Sequence, residues 1–256
     1  MANVRHCAMK PLRSGIHLLL AGLLLSSLSW AESPFSHIWS GFSTSLAGRS
    51  AEQRRNATMA GQLLDNVIIT SGGVFSFNEL VGARDRNKGF VPAPHLNSSG
   101  TLDETPGGGI CQLASTIYNA GLQAGLEVVE RHPHSRAVAH VAPGRDATIS
   151  SWRKDLKLRN PFPHPLLLRI SSNNDRLTAS FRSVAAKDFQ VDVHTRQIAL
   201  EPETVAGRNA GVGQAGARGF STRTTRVFRQ NGIETSQLVS EDIYPAPSRI
   251  IAGGWD

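Results

Sequence analysis

Residues 105–121, TPGGGICQLASTIYNAG, place three glycines directly before a cysteine and then follow a helical pattern. Apolar residues recur at spacings of three and four in and beyond this stretch: Ile110, Leu113, Ala114, Ile117, Gly121 and Ala124. That spacing predicts one apolar helical face with Cys111 in the first turn. The stretch therefore predicts the central helix of the fold and places a thiol at its positive end.

Shorter patterns on both sides of this helix predict the rest of the fold. Upstream, SAEQRRNATMAGQLLDN opens with a capping box, Ser50 with Gln53, and predicts a second helix that ends near Asn66. Six later segments are short, rich in branched residues and separated by Pro, Gly or Asn, which predicts strands: LEVVER, RAVAHV, ATISSW, LKLRN, PLLLRISS and RLTASFR. We expect an α+β fold with two helices packed on a mixed, mainly antiparallel sheet, and a C-terminal β-rich extension.

The composition of the connecting segments predicts the domain organisation. Residues 82–106 are rich in Gly, Pro, Asn and Asp, which predicts a long loop of the kind that often borders a site. Near the C-terminus, Asn231-Gly232 predicts a hairpin that follows a Gly- and Ala-rich connection. We therefore expect a main domain at 32–186, then a linker and small β-rich module at 187–256.

The first thirty-one residues have the order of a secretory signal peptide. Lys10 and Arg13 precede the apolar run HLLLAGLLLSSL, and small residues follow up to a predicted cleavage after Ala31. No later stretch approaches the roughly 20 apolar residues that a membrane span needs. We expect an exported protein, periplasmic or cell-wall associated, whose signal peptide is 1–31 and which has no transmembrane span after signal removal.

The charge balance excludes one class of partner. The chain has 27 basic and 20 acidic side chains, and three of the basic ones lie in the predicted signal. This mild excess favours contact with an anionic surface such as a cell wall. No Lys- and Arg-rich run with interleaved aromatic residues is present, so nucleic acid is not a predicted partner.

Export would leave Cys111 as the one thiol of the mature chain, because Cys7 departs with the signal. An unpaired cysteine outside the cytoplasm is either a packed apolar residue or a reactive group. The helix N-terminus and a glycine nest would favour a thiolate and bind an oxyanion. The groups predicted to bind that oxyanion are three backbone N–H groups and one side-chain amide: Gly107, Gly108, Gly109 and Gln112.

Two histidines are candidates for the proton acceptor that a thiol nucleophile requires. His132 and His134 lie in RHPHSR, an irregular turn predicted from its proline, and Asp146 in PGRDATIS is a plausible orienting carboxylate. An ordinary surface histidine and an ordinary turn aspartate remain open alternatives. A third alternative is zinc bound by Cys111 with His132, His134 or His140, but the usual zinc-ligand spacings are absent, so no metal or cofactor is predicted.

Three motifs in this order resemble the VanW family: GGVFSFNELVG, GGGICQLASTIYNAGLQAGLEVVERHPHS and PGRDATISSWRKDLKLRNPFPHPLLLRI. The resemblance covers about Ser45 to Arg182. Some members of that family are regarded as L,D-transpeptidases, which cross-link peptidoglycan stem peptides through a cysteine acyl-enzyme. The resemblance thus implies Cys111 as the nucleophile and His134 as the base, with His132 as the competing assignment.

Two functions from different classes follow from these observations. The first is an exported thiol acyltransferase acting on peptidoglycan stem peptides, with Cys111 as nucleophile, His134 moving the proton and Asp146 orienting it. The second is a non-catalytic peptidoglycan-binding or glycopeptide-resistance accessory protein, in which the glycine nest binds a peptide carboxylate and the cysteine only packs. A thiol kept outside the cytoplasm favours the first, because Ala or Val would pack without the risk of oxidation.

Overall fold

The computed structural model describes residues 33–96, 102–151, 153–206 and 215–251, so the predicted signal at 1–31 lies outside the described residues. The helices are α1 (Ala51–Leu64), α2 (Phe77–Val81) and α3 (Ile110–Ala124), with a 3-10 turn at Arg86–Lys88. The strands of the first half are β1 (His37–Ser45), β2 (Ile68–Ile69), β3 (Val74–Ser76), β4 (Pro92–Leu96), β5 (Leu102–Pro106), β6 (Glu127–Glu130) and β7 (Lys157–Arg159). The later strands are β8 (Leu166–Ser172), β9 (Arg176–Ser183), β10 (Gln190–Leu200), β11 (Thr204–Ala206), β12 (Gly219–Gln230), β13 (Ile233–Tyr244) and β14 (Arg249–Ile251).

Antiparallel pairing joins nearly all of these strands, which confirms the predicted α+β class. The largest sheet has the order β1-β9-β8-β2, and two three-stranded sheets have the orders β3-β7-β6 and β10-β12-β13. A hairpin joins β4 to β5, and within the described residues only the β11 and β14 pair is parallel. Tight turns join the pairs β8–β9 and β12–β13, whereas β1–β9, β2–β8 and β3–β7 pair strands that are far apart in sequence.

Helix α3 lies at the centre of the core and is buried on nearly all sides. It packs against α1, β1, β9 and β10, and every one of its residues is buried except Cys111 and Gln123. The prediction of a single apolar face was therefore too narrow. The polar side of the helix is also buried, and its side chains are satisfied by hydrogen bonds, such as the one of 2.9 Å between the hydroxyls of Thr116 and Thr44.

The sequence signals for α1 are confirmed in detail. Ser50 Oγ accepts from the Gln53 backbone N–H at 3.2 Å, and the Ser50 N–H donates to Gln53 Oε1 at 3.1 Å. The helix ends at Leu64, within two residues of the predicted position. This reciprocal cap fixes the start of α1, and the start of α1 in turn lies against the glycines that precede α3.

Three local predictions were wrong. Residues 136–141 and 147–151 form no regular strand. In the second segment, backbone N–H groups bond to side chains of α3 instead, and in the first segment the His140 side chain contacts Ser115 of α3. Residues 82–106 contain the β4–β5 hairpin rather than only a loop. Strand β1 was not predicted, although its pairing with β9 completes one side of the main sheet.

The C-terminal residues form the predicted β-rich extension. The hairpin between β12 and β13 turns at Asn231 and Gly232, which have φ of 51° and 77°, so the Asn-Gly signal is confirmed. The described residues from Ser33 onward belong to one compact unit, in which this sheet packs on α3. The boundary near residue 186 stays a prediction.

Candidate active site

Cys111 lies in the first turn of α3 and is partly exposed, in contrast to its neighbours on the helix. Its sulfur accepts the Ile149 backbone N–H at 3.4 Å and lies 3.6 Å from the Ile149 carbonyl oxygen. A segment that crosses the start of α3 thus holds the thiol. Access to solvent at this one position is what a nucleophile requires.

The structure pairs His134 with Asp146. Asp146 Oδ2 accepts the His134 backbone N–H at 2.7 Å and lies 2.5 Å from His134 Nδ1. Because an ionised carboxylate only accepts hydrogen bonds, Nδ1 carries the proton and donates it. The other ring nitrogen, Nε2, is then the one available to the thiol of Cys111.

Electrostatics in this group favour an ion pair between Cys111 and His134. Burial raises the pKa of the Cys111 thiol, but the hydrogen bond and charge of His134, the Ile149 N–H and the charge of Arg84 outweigh it, so the pKa is lowered. Burial alone would lower the pKa of His134, yet its bond to Asp146 and its contact with Cys111 raise it to about 9. The two partners therefore share a range of pH in which both are charged.

Asp146 is fully buried and remains ionised because four hydrogen bonds stabilise it. Burial raises the pKa of its carboxyl, whereas His134, the charge of Arg131 and the hydroxyl of Tyr244 lower it to about 2. Arg131 Nη2 donates to Asp146 Oδ1 at 3.0 Å, and Tyr244 donates to the same oxygen. The carboxylate is thus fixed as a permanent acceptor for the imidazole.

Arg131 and Tyr244 were not found from the sequence. Arg131 adjoins the predicted histidines, so the basic residue at the start of RHPHSR was a usable signal. Tyr244 lies 98 residues after Asp146, and no local pattern joins the two. The one available signal was that tyrosine is scarce, because the chain has only two. The other, Tyr118, also contacts this group: the Arg131 guanidinium lies over its ring, 5.3 Å from the ring centroid.

The glycines before Cys111 are required by close packing. A Cβ at Gly108 would lie 2.3 Å from the carbonyl oxygen of Ala93 in β4, and one at Gly109 would lie 2.5 Å from that of Gln53 in α1. Gly109 also has a φ of 99°, which L side chains rarely adopt. These contacts bring two elements directly against the start of α3.

Only part of the predicted nest is free to bind an anion. The N–H groups of Gly107 and Gly108 already donate to Val91 and Thr105 carbonyl oxygens, each at 3.3 Å. Among the described residues, the N–H groups of Gly109 and Cys111 have no acceptor in the chain. Those two are the donors that remain for an oxyanion beside the sulfur.

Two residues singled out from the sequence are not brought to this group. The side-chain amide of Gln112 donates to Thr44 Oγ1 at 3.0 Å and to the Ser45 carbonyl at 2.8 Å, which ties α3 to β1. His132 lies 3.0 Å from Glu130 Oε1 and its side chain is 36% exposed. The structure thus pairs His134, and not His132, with Asp146.

A second histidine lies close to the site in neutral form. His140 Nδ1 accepts from Arg49 at 3.0 Å, and its Nε2 lies 3.1 Å from the Ser115 hydroxyl. Burial, together with the positive charges of Arg49 and His134, lowers the pKa of His140 to about 3. No group of three or more His, Cys, Asp or Glu side chains within the described ranges is arranged to hold a metal ion.

Polar side chains of α3 anchor the loop that carries Asp146. The Ser115 hydroxyl donates to the Cys111 carbonyl at 2.8 Å and accepts the Ala147 N–H at 2.9 Å. Asn119 Nδ2 donates to the Arg145 carbonyl at 2.7 Å, on the other side of the aspartate. The same helix therefore positions both the nucleophile and the carboxylate.

Taken together, these contacts define the class of the protein: an α+β domain with a buried helix whose first turn presents a cysteine to a histidine–aspartate pair. The family model described as "VanW like protein" matches residues 52–182, half of the chain. The chain therefore belongs to the VanW family, which confirms the resemblance found in its motifs.

Two curated proteins are similar to this chain. The uncharacterized protein YoaR of Bacillus subtilis (strain 168) is 44% identical over 114 residues, 44% of this chain and 37% of the relative. The vancomycin B-type resistance protein VanW of Enterococcus faecalis (strain ATCC 700802 / V583) is 30% identical over 110 residues, 41% of this chain and 40% of the relative. The matches thus span about two fifths of each relative's length.

No solved structure matches the chain. Within the described part of the chain, no helix is both long enough and apolar enough to cross a membrane.

Proposed function

We propose that this protein is an exported cysteine acyltransferase that acts on peptidoglycan stem peptides, in the manner of an L,D-transpeptidase. The observation that carries the proposal is the partly exposed thiol at the start of a buried helix, next to a histidine whose Nδ1 is bound to a buried carboxylate. A residue that served packing alone would be buried like its neighbours on α3. The lowered pKa of Cys111 supplies the nucleophile.

The first half of the reaction forms a thioester. The Cys111 thiolate attacks a carbonyl carbon of the donor peptide, and the N–H groups of Gly109 and Cys111 bind the oxyanion. The C–N bond then breaks, and the leaving amine takes the proton from Nε2 of protonated His134. The products are the acyl-enzyme, a free amine and a neutral imidazole.

The second half reverses the proton transfer. An acceptor amine attacks the thioester carbonyl and gives its proton to His134 Nε2, the thiolate departs, and a new amide bond forms. Water in place of the amine would give trimming instead of cross-linking. Asp146 stays ionised throughout and orients the imidazole.

Location at the cell envelope supports this substrate class. The VanW family is generally cell-envelope associated, and one relative is named for resistance to vancomycin. The charged, apolar and small-residue order of residues 1–31 supports export. A mild basic excess also suits an anionic wall.

Intact-mass spectrometry after incubation with a peptidoglycan-derived peptide or a carbapenem tests the proposal. The full chain with Cys7→Ser, which leaves one thiol, should gain one acyl group, and the further change Cys111→Ser should abolish the adduct. Absence of any adduct on a folded protein whose thiol still reacts with iodoacetamide would contradict acyl transfer and favour the non-catalytic accessory role.

A further inference from the structure

The last strand of the C-terminal sheet reaches into the candidate active site. Asp242 and Tyr244 stand two residues apart on β13 and so point to the same face, where they are 7% and 1% exposed, while Ile243 between them is 68% exposed. Both lie beyond the family match, which ends at residue 182. A segment outside the family domain therefore contacts the carboxylate of Asp146.

The hydroxyl of Tyr244 makes three hydrogen bonds: it accepts a long one of 3.4 Å from Arg131 Nη2, and the other two act together. It accepts the Gly144 backbone N–H at 2.8 Å and donates to Asp146 Oδ1. It thus fixes the carboxylate relative to the backbone of its own loop. Without the hydroxyl, the Gly144 N–H would be buried and unpaired, and Arg131 alone would hold Oδ1.

Arg131 joins the two sides of this contact. Its side chain is 3% exposed and bonds Asp242 through Nη1 at 2.5 Å and Asp146 through Nη2 at 3.0 Å. Buried guanidinium groups need paired carboxylates, and here one comes from each side of residue 186. Asp242, together with the Asp146 carbonyl that accepts from Arg131 Nε at 2.6 Å, therefore holds the guanidinium in the orientation in which Nη2 reaches the Asp146 carboxylate.

We propose that the C-terminal sheet completes the active site, with Tyr244 as a positioning residue that fixes Asp146 and, through it, the imidazole of His134. This role rests on the proposed function insofar as His134 serves Cys111. The C-terminal module would then help to position the reacting groups, a task distinct from binding glycan or covering a sheet edge.

The position of His134 can be followed without any substrate. In the full chain, the Nδ1 proton shared with a buried carboxylate should give a downfield proton NMR signal that exchanges slowly with water, identified by its loss in Asp146→Asn. Tyr244→Phe should broaden or shift this signal, because Oδ1 of Asp146 then keeps Arg131 as its one partner and the carboxylate is held less firmly. The matched control is Tyr118→Phe, which removes a buried hydroxyl that has no partner in the described structure and should leave the signal unchanged.

Two further arms keep the test decisive. Asp242→Asn, which removes the charge paired with Arg131 Nη1, should weaken the same signal and serves if Tyr244→Phe does not fold. In the carbapenem assay, Tyr244→Phe should slow formation of the adduct about tenfold, the loss expected for one hydrogen bond to a charged group. Circular dichroism checks that each variant is folded.

The outcomes separate this inference from the proposed function. A signal that is unchanged in folded Tyr244→Phe, or absent from the unaltered protein, overturns the positioning role even if Cys111 is acylated. A signal broadened or shifted in Tyr244→Phe and unchanged in Tyr118→Phe supports that role even if no acyl adduct forms, in which case only the transferase proposal falls.

Discussion

Replacing His134 by alanine is the most direct test of the ion pair at the site. The substitution removes the hydrogen bond and the positive charge that lower the pKa of Cys111, and leaves Asp146 bound to Arg131 and Tyr244. The thiol then keeps the Ile149 N–H and the charge of Arg84 as stabilising contacts, while burial continues to oppose ionisation. We expect the pKa of Cys111 to rise above the value of about 8.5 for a free thiol.

The size of the shift follows from the charge that is lost. Two opposite unit charges about 4 Å apart attract by about 4 kcal/mol at an effective dielectric constant of about 20. The partial exposure of Cys111 reduces this attraction through solvent screening, so we expect a loss of about 3 kcal/mol of thiolate stabilisation. At pH values below the pKa of the thiol in both proteins, the alkylation rate should then fall about 100-fold.

The assay is the rate of iodoacetamide alkylation of Cys111 as a function of pH, followed by intact mass in the full chain with Cys7→Ser. In the unaltered site the reaction should persist at mildly acidic pH. The matched control is His132→Ala, which removes an imidazole two residues away that pairs with exposed Glu130 and not with Asp146. That control should leave the profile in place.

A midpoint that does not move in folded His134→Ala would refute the reasoning, because the thiol would then ionise independently of the imidazole. An equal shift in His132→Ala would refute the assignment of roles to the two histidines. A thiol that resists alkylation at every pH in the folded protein would favour the packing interpretation of Cys111.

Three further results are expected. Gly108→Ala should lower the free energy of unfolding by about 3 kcal/mol, since its methyl group would lie 2.3 Å from a β4 carbonyl oxygen. The control Gly41→Ala, whose methyl group would lie 3.9 Å from its nearest neighbour, should change the free energy of unfolding by less than about 0.5 kcal/mol. Urea denaturation measures both. The low pKa of Asp146 stabilises the fold at pH values above about 4, the pKa of an unfolded aspartate, and this contribution should be lost as the pH falls through about 2. The raised pKa of His134 stabilises the fold at pH values below about 6.5, the pKa of an unfolded histidine, and this contribution should be lost as the pH rises through about 9. Denaturation at a series of pH values should show both declines, and Asp146→Asn should remove the acid one. Ser115→Ala should cost about 2 kcal/mol in the same measurement, because it leaves the Ala147 N–H buried and unpaired.

Much of the site could be predicted because its residues carry local signals. Cys111 is conspicuous as a lone thiol beside glycines, and His134 lies in a turn that proline keeps irregular. Asp146 was harder, since an aspartate after Pro-Gly is ordinary turn chemistry. What joins the three is the buried polar side of α3, whose Ser115 and Asn119 read in the sequence as plain helical residues.

The parts that were missed depend on contacts between distant segments. Residues 136–141 have the branched composition of a strand, yet their loop is tied to the fold through the His140 side chain, which bonds to Ser115 of α3 and to Arg49, a tertiary effect that propensity does not contain. The link from Tyr244 to Asp146 spans 98 residues and joins strand β13 to a loop. Local patterns therefore indicated a separate C-terminal module but not the contact between one of its strands and the candidate active site.

The glycines before Cys111 serve the packing and the chemistry through the same geometry. Helix α1 starts with a reciprocal side-chain cap, whereas α3 starts at Gly109 with no side-chain cap, an arrangement that forgoes only a few tenths of a kcal/mol of helix stability. A capping side chain at Gly109 would collide with the backbone of Gln53 and would occupy N–H groups in the first turn. With glycine there, the N–H groups of Gly109 and Cys111 have no acceptor among the described residues and lie at the positive end of the helix. In the acyltransferase that we propose, these two groups are the donors left for the oxyanion that forms beside the sulfur.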